Sequence, residues 1–245
     1  MDAINVVFPR RIPDLSPDKI MDIDINLDDF SNQCRLFPLP GVVLFPNAIL
    51  PLHIFEPRYR QMTEDALADD RLVTIVQIRP MAQGISWKEP VPIMDVACLG
   101  KILKYERLPD GRFNYLLLGC KRVRLGAEIA TDKLYRTANA DILEDIEADS
   151  THESHRKELV DLFLEAFEQR HRLDFDLAKL VRSSVSLGVL TDIMAHASDL
   201  SSMTKQRLLS ETSVAQRIEI LQEELRILRD DDDSSLTFPP PFSVN

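Results

Sequence analysis

Residues 36–62, LFPLPGVVLFPNAILPLHIFEPRYRQM, put five prolines and two Phe-Pro steps into a mostly apolar run. Each X-Pro step pushes the residue before it into extended geometry. Pro38, Pro40, Pro46 and Pro51 lack an N–H, so they are expected outside any central hydrogen-bonded ladder. The segment therefore reads as short extended pieces joined by kinks, with a turn at Pro40-Gly41. ILPLHIF at 49–55 reads as a strand. Pro57 suits the first turn of a helix, where its missing N–H costs nothing. Tyr59, Met62, Ala66 and Leu67 then recur at helical spacing on one face. LVTIVQI at 72–78, β-branched and almost wholly apolar, reads as a buried strand.

The rest of the chain divides around this unit. Residues 1–33 combine Pro9, Pro13 and Pro17 with the acidic run DIDINLDD, and read as an extended, partly ordered arm. Val96–Tyr105 and Arg112–Leu118 form an expected hairpin. Its link, Leu108-Pro109-Asp110-Gly111, has proline where φ is fixed and glycine where positive φ is needed. CKRVRL, bracketed by Gly119 and Gly126, reads as another short strand, with its basic residues on the solvent face. Leu134–Leu143 closes a β-rich region at 34–145. Many short strands with one helix point to a curled sheet or small open barrel.

Residues 150–229 read as helical. Leu159, Leu162, Phe163, Ala166 and Phe167 form one apolar stripe, and Leu187, Leu190, Met194 and Ala197 another. The last helix has a capping box at Ser213 and Gln216. Val214, Ile218, Leu221, Leu225 and Leu228 give it a core stripe, with packing inside its own bundle favoured over a coiled-coil dimer. Acidic residues from Asp230 oppose the helix dipole, so the helix is expected to stop near Arg229. Residues 230–245 read as an acidic, proline-containing disordered tail. Their FPPPF at 238–242 is either a polyproline docking motif or an unstructured end.

Chemistry is hard to find in this chain. It carries 7 glycines among 245 residues and no phosphate-cradling G-x-x-x-x-G-K-[ST]. It lacks a G-x-S-x-G elbow and an H-E-x-x-H motif. Cys34, Cys98 and Cys120 show no metal or disulfide spacing and read as reduced thiols of a cytoplasmic protein. His152 and His155 read as a solvated helix start. His53 reads as a satisfied core histidine rather than a catalytic one. Glu56, Arg58 and Arg60 beside Tyr59 read as a structural ion pair at a strand-to-helix corner. A net charge of −11 argues against a nucleic-acid backbone as main ligand, and no stretch is long and apolar enough for a membrane span. No cofactor or metal is expected. The connection 81–92 is long for a link between strands. It offers Met81, Ile85 and Trp87 as candidate peptide-binding residues, the alternative being that Trp87 folds back over the barrel core.

The segment from Leu36 to Met62, with its kinked Phe-Pro steps and its Phe-Glu-Pro-Arg-Tyr, resembles the opening of the substrate-binding N-terminal domain of ATP-dependent Lon proteases. DVACLGKILKYERLPDGRFNYLLLGCKRVRL is similar to that family's hairpin and Gly-x-x-Arg-x-Arg strand, with Gly119, Arg122 and Arg124 in the pattern. TKQRLLSETSVAQRIEILQEEL resembles its closing helices. The likeness covers roughly residues 34–229. It implies an α+β fold: a small PUA-like β pseudo-barrel with one helix, then a C-terminal α-helical bundle. It also implies a non-catalytic module that recognises unfolded or tagged protein segments. The chain shows no ATPase or peptidase module, so it looks like a stand-alone member of the family that could serve a separate ATPase or protease. An RNA-binding PUA-like module is the alternative reading, and an unrecognised hydrolase is less favoured.

Overall fold

The structure is a computed structural model and describes residues 27, 30–80, 90–148, 152–170 and 175–231. The strands are β1 (Gln33–Leu39), β2 (Ile49–Ile54), β3 (Leu72–Gln77), β4 (Val96–Arg107), β5 (Phe113–Ile129) and β6 (Thr137–Leu143), with helix α1 (Pro57–Ala68) between β2 and β3. Five helices follow: α2 (His155–Arg170), α3 (Phe175–Val181), α4 (Leu187–Ala197), α5 (Ser202–Ser210) and α6 (Val214–Asp231). This is the expected α+β order, a near-barrel sheet with one helix followed by helices. α6 extends to Asp231, slightly past the expected stop.

The strands form one six-stranded sheet in the order β2-β5-β4-β3-β1-β6, and β5 also pairs with β6. That extra pairing closes β1, β3, β4, β5 and β6 into a ring. β1 and β3 run parallel, with Leu36 opposite Thr74, and α1 lies in the crossover between β2 and β3. Cys34, Leu36, Leu72, Val76, Ala97, Leu99, Val123, Ala138 and Ala140 come from all five ring strands and pack together. Side chains from every strand of a closed sheet meet only in its lumen, so this cluster fills the barrel. A second, larger core lies on the opposite face. It joins Leu50, Leu52 and Ile54 of β2 and Phe113, Tyr115 and Leu117 of β5 to Met62 and Ala66 of α1, and to the apolar stripes of the later helices.

β5 organises the sheet. Its first half pairs with β2, from Phe113↔Ile54 to Leu118↔Ile49. Its second half gives the same edge to β6, from Arg122↔Leu143 onward. CKRVRL is therefore the continuation of one 17-residue strand and not a separate short one. Gly119 stands at the handover. A Cβ there would collide with the Phe45 carbonyl oxygen. The Gly119 amide donates to the Ala48 oxygen at 2.8 Å, and the Asn47 amide donates to the Gly119 oxygen at 2.8 Å. The Phe45-Pro46 kink is thus docked on β5 by a backbone contact that only glycine admits.

Pro38 departs from expectation by lying inside β1, between two partner strands, while Pro51 lies in the strand expected at 49–55, at the edge of the sheet. β1 pairs with β6 only through Arg35, and the Leu36 amide makes the last contact on that side, to the Arg136 oxygen at 2.9 Å. Two residues on, the absent N–H of Pro38 faces no strand. Pro51 sits in β2, whose one strand partner is β5. The rule against proline in a ladder holds for a bond that must be made, and at both positions the donor side carries none.

The hairpin turn forms as expected. Gly111 has φ +80°, and the Leu108 amide donates to the Arg112 oxygen at 2.8 Å. The Arg60 guanidinium lies against Gly111, where a Cβ would collide with it. Glu56 pairs with Arg58 at 2.9 Å, and the Arg58 guanidinium lies 4.7 Å from the Tyr59 ring centroid. The corner residues thus act structurally.

Candidate functional site

Two polar constellations stand out, and they do different work. The first is buried where the sheet meets the helices. Arg122 of β5 is 2 % exposed and is not on the solvent face assigned to it by alternation. An extra residue in β5, opposite the Leu99/Gly100 step, shifts the alternation there. Arg122 is turned onto the helix-packed face, the face of its partner Cys98. Its Nη1 donates to Asp192 Oδ2 of α4 at 3.0 Å, its Nη2 donates to Asp192 Oδ1, and its Nε donates to the Leu209 oxygen at 3.0 Å. Arg217 of α6 donates to the same Asp192 at 3.1 Å and also to Asp145. Two guanidiniums and two carboxylates therefore neutralise each other. Burial pushes the Asp192 carboxyl up, and both arginines oppose that shift. Gln206 of α5 adds a bond from Nε2 to the Val96 oxygen at 2.9 Å. Every guanidinium nitrogen here except Arg217 Nε meets a protein acceptor, so this cluster is a weld between sheet and helices.

The second constellation is open. Beyond the β5–β6 pairing, β2, β5 and the far half of β4 project as a three-stranded sheet. One face of the projection packs on the large core. The other face carries Asn114 and Leu116 of β5. With the extra residue of β5 counted, these continue the lumen-facing side of Val123. No strand closes the ring at this level, so the face is a groove of about 390 Å³, with Pro51, His53, Lys104, Glu106, Asn114 and Leu116 on it. Tyr105 pairs with the buried Tyr115 and so belongs to the opposite, core-packed face. Both flanks resist strand addition: Pro51 interrupts the donors of the β2 edge, and the β4 edge is bulged at Ile102/Lys104 and charged at Lys104, Glu106 and Arg107.

His53 faces this groove half-buried and is not a core histidine. Its Nδ1 lies 2.7 Å from Asn114 Oδ1, which assigns the ring proton to Nδ1, and its Nε2 lies 3.4 Å from Arg112 Nη1. Asn114 Nδ2 donates to Glu106 Oε2 at 3.5 Å. A polar ladder thus crosses the three strands and orients the amide and imidazole. His53 has no nucleophile beside it in this ladder. It borders an apolar floor, and that arrangement can hold a side chain or a peptide group.

The remaining candidates fall elsewhere. Met81, Ile85 and Trp87 lie outside the described residues. His155 is 3.8 Å from Glu158 on the outside of α2. Among the described residues, no group of three His, Cys, Asp or Glu could hold a metal ion, and no helix is long and apolar enough to cross a membrane. The three thiols are free. Burial pushes Cys34 up to about 11 and Cys120 up to about 12, and raises Cys98 well above its ordinary value. They are inert thiols, unlike activated nucleophiles. Sequence reasoning missed the groove because its lining is discontinuous. The one available signal was the weak alternation of polar Asn114 and His53 inside apolar strands.

Known proteins share this architecture. Residues 33–226 match the family model of the ATP-dependent protease La (LON) substrate-binding domain. A Lon protease of Azospirillum brasilense is 26% identical over 185 residues, covering 74% of this chain and 22% of that protein. A Lon protease of Bacillus thuringiensis is 25% identical over 201 residues, covering 79% of this chain and 25% of that protein. The chain thus spans about a quarter of the length of the curated relatives it matches. Among solved structures, a Lon N-terminal domain protein from Xanthomonas campestris superposes with a TM-score of 0.56 at 20% identity, covering 78% of this chain and 97% of that one. The N-terminal domain of the Mycobacterium avium complex Lon protease superposes with a TM-score of 0.61 at 18% identity, covering 83% and 100%. With most of its length under the family model and its ring and helices matched by both structures, the chain belongs to the Lon substrate-binding domain family.

Proposed function

We propose that this protein binds extended, apolar segments of unfolded or tagged proteins without transforming them, and that the groove between β2, β5 and β4 is where they lie. The observation that carries the reading is the family match across residues 33–226 to a substrate-binding domain. The groove supplies what such a binder requires, an exposed apolar floor on a rigid sheet with a few oriented polar groups at one end. Pro51 and Leu116 supply the apolar contact, and the His53–Asn114–Glu106 ladder offers hydrogen-bonding groups for a peptide backbone. Delivery of the bound segment to a separate ATPase or protease is part of the same proposal.

The test is fluorescence anisotropy with a labelled, permanently unfolded casein fragment. Saturable binding is expected, with no cleavage and no ATP hydrolysis. Leu116→Ala should weaken it about tenfold, a loss of about 1.4 kcal/mol, with the melting temperature held. Absence of saturable binding, or cleavage of the fragment by the purified chain, would overturn the reading.

A further inference from the structure

We propose that the segment 20–26 of this chain, IMDIDIN, lies extended on the Leu116 face of the groove and competes there with clients. The competition rests on the client-binding reading, while the docking rests on where the chain enters the barrel.

Residues 1–26 lie outside the described residues, and the described chain begins at Leu27. Strand register fixes which end of the barrel that is. β1 runs antiparallel to β6 with Gln33 opposite Asn139, and the Ala140 amide donates to the Asn32 oxygen at 2.8 Å. Going back from Gln33, the chain therefore heads toward the Leu143 end of β6. Leu143 stands opposite Arg122 of β5, and past that pair β5 runs into its projecting half, Phe113–Leu118. The start of the described chain and the groove thus share one end of the barrel. Leu27 and Phe30 pack on the lumen cluster, as does Ile142 at that end of β6, and the Phe30 amide donates to the Leu27 oxygen at 2.9 Å. The groove floor continues the lumen side of β5, so residues 20–26 lead into an apolar surface that the groove extends.

The sequence pattern supplies the fit. Met21, Ile23, Ile25 and Leu27 alternate with Asp22, Asp24 and Asn26. In an extended chain alternate side chains share a face. Leu27 rests on the apolar cluster, so the alternation turns Ile25, Ile23 and Met21 to the same side and both aspartates to water. Length agrees as well. At about 3.3 Å per residue, segment 20–26 spans about 23 Å and the Phe113–Leu118 half of β5 about 20 Å. Charge does not choose the occupant, because the lining carries Lys104 and Glu106 together. Apolar periodicity with a fixed starting point does. The blunted edges of the projecting sheet are no obstacle, since a chain lying on a face need not join a ladder.

The experiment uses the full chain. A nitroxide is attached at Asp24→Cys, the native thiols being held unreactive by burial. The amide NMR signals of His53, Asn114 and Leu116 should lose intensity relative to the reduced label. Adding Ile23→Asp/Ile25→Asp should restore them. Leu116→Asp, with folding checked by circular dichroism, should restore those of His53 and Asn114. Undiminished signals in the labelled chain, or a loss that the Ile23→Asp/Ile25→Asp change leaves in place, overturn the docking. A loss seen only between labelled and isotope-enriched chains gives the groove to a neighbouring copy's segment and overturns it too. The unfolded casein fragment is titrated in parallel. A segment filling the groove about nine-tenths of the time weakens apparent affinity about tenfold, so Ile23→Asp/Ile25→Asp should tighten binding by that factor. Equal binding to both chains overturns the competition. No binding to either ends the client reading, while the signal intensities still decide the docking.

Discussion

Removing Asp192 tests whether the buried charge cluster welds the sheet to the helices. The carboxylate is 2 % exposed and accepts from both η nitrogens of Arg122 and from Arg217, which are 2 % and 1 % exposed. In Asp192→Leu two guanidiniums remain buried with Asp145 as their one carboxylate, a net uncompensated positive charge. Breaking such a buried arrangement by deleting one partner costs about 3–5 kcal/mol. That is a large part of the roughly 5–15 kcal/mol that holds a folded domain. At about 2–4 °C per kcal/mol for a chain of this size, the melting temperature should fall by about 6–20 °C. The assay is urea unfolding followed by circular dichroism, with calorimetry for the melting point. Arg122→Met/Asp192→Leu leaves Arg217 with Asp145 and restores charge balance. The double variant should therefore cost less than the sum of the singles by about 1–3 kcal/mol. A loss below about 1 kcal/mol for Asp192→Leu, or strict additivity, would show that the charges are hydrated and that the weld resides in the apolar core.

Other outcomes follow from the same structure. His196 of α4 packs edge-on to Phe45, its Nδ1 has no hydrogen-bond partner, and burial holds its pKa down at about 4 against an ordinary 6.5. Between those values the unfolded chain takes up a proton that the folded chain refuses. Stability should therefore be undiminished above about pH 6.5 and decline as pH falls toward 4, by up to about 3 kcal/mol. His196→Leu should flatten this slope in urea titrations at fixed pH, and an unchanged slope would assign the effect elsewhere. Gly119→Ala forces its Cβ against the Phe45 carbonyl and should destabilise by about 3 kcal/mol, measured by thermal melting; a neutral result would mean the kink is free to move off β5. In native buffer at pH 8 the thiols should react with a disulfide reagent far more slowly than in denaturant, because burial raises all three pKa values; fast labelling of folded protein would contradict their placement.

Much of the fold was readable from local rules. The helix at Pro57, with Tyr59, Met62 and Ala66 inward, the Pro-Asp-Gly hairpin, the fully buried LVTIVQ strand and the cap of the last helix at Ser213 all rest on φ preferences and periodicity within a few residues. The family likeness was legible for the same reason. Proline and glycine steps record backbone geometry directly, so the extended step at Phe37-Pro38 and the kink at Phe45-Pro46 mark the domain even where side chains vary. The groove was not legible, because its floor comes from residues 51–53, 104–106 and 114–116, and local patterns do not say which strands pair.

The sequence by itself determined where this chain kinks, turns and coils into helices, and that it offers no phosphate loop or known nucleophile motif. Those properties depend on the conformational preference of each residue and its near neighbours. Tertiary structure alone decided that β5 passes from β2 to β6 at Gly119, that one extra residue turns Arg122 inward toward Asp192, and that the handover leaves the Leu116 face uncovered. Each of these depends on strand register, and a shift of one residue exchanges the two faces of a strand. Only packing against distant partners selects one register over the other, so a solvent-facing reading of Arg122 and a core reading of His53 were both locally sound and both reversed by their neighbours.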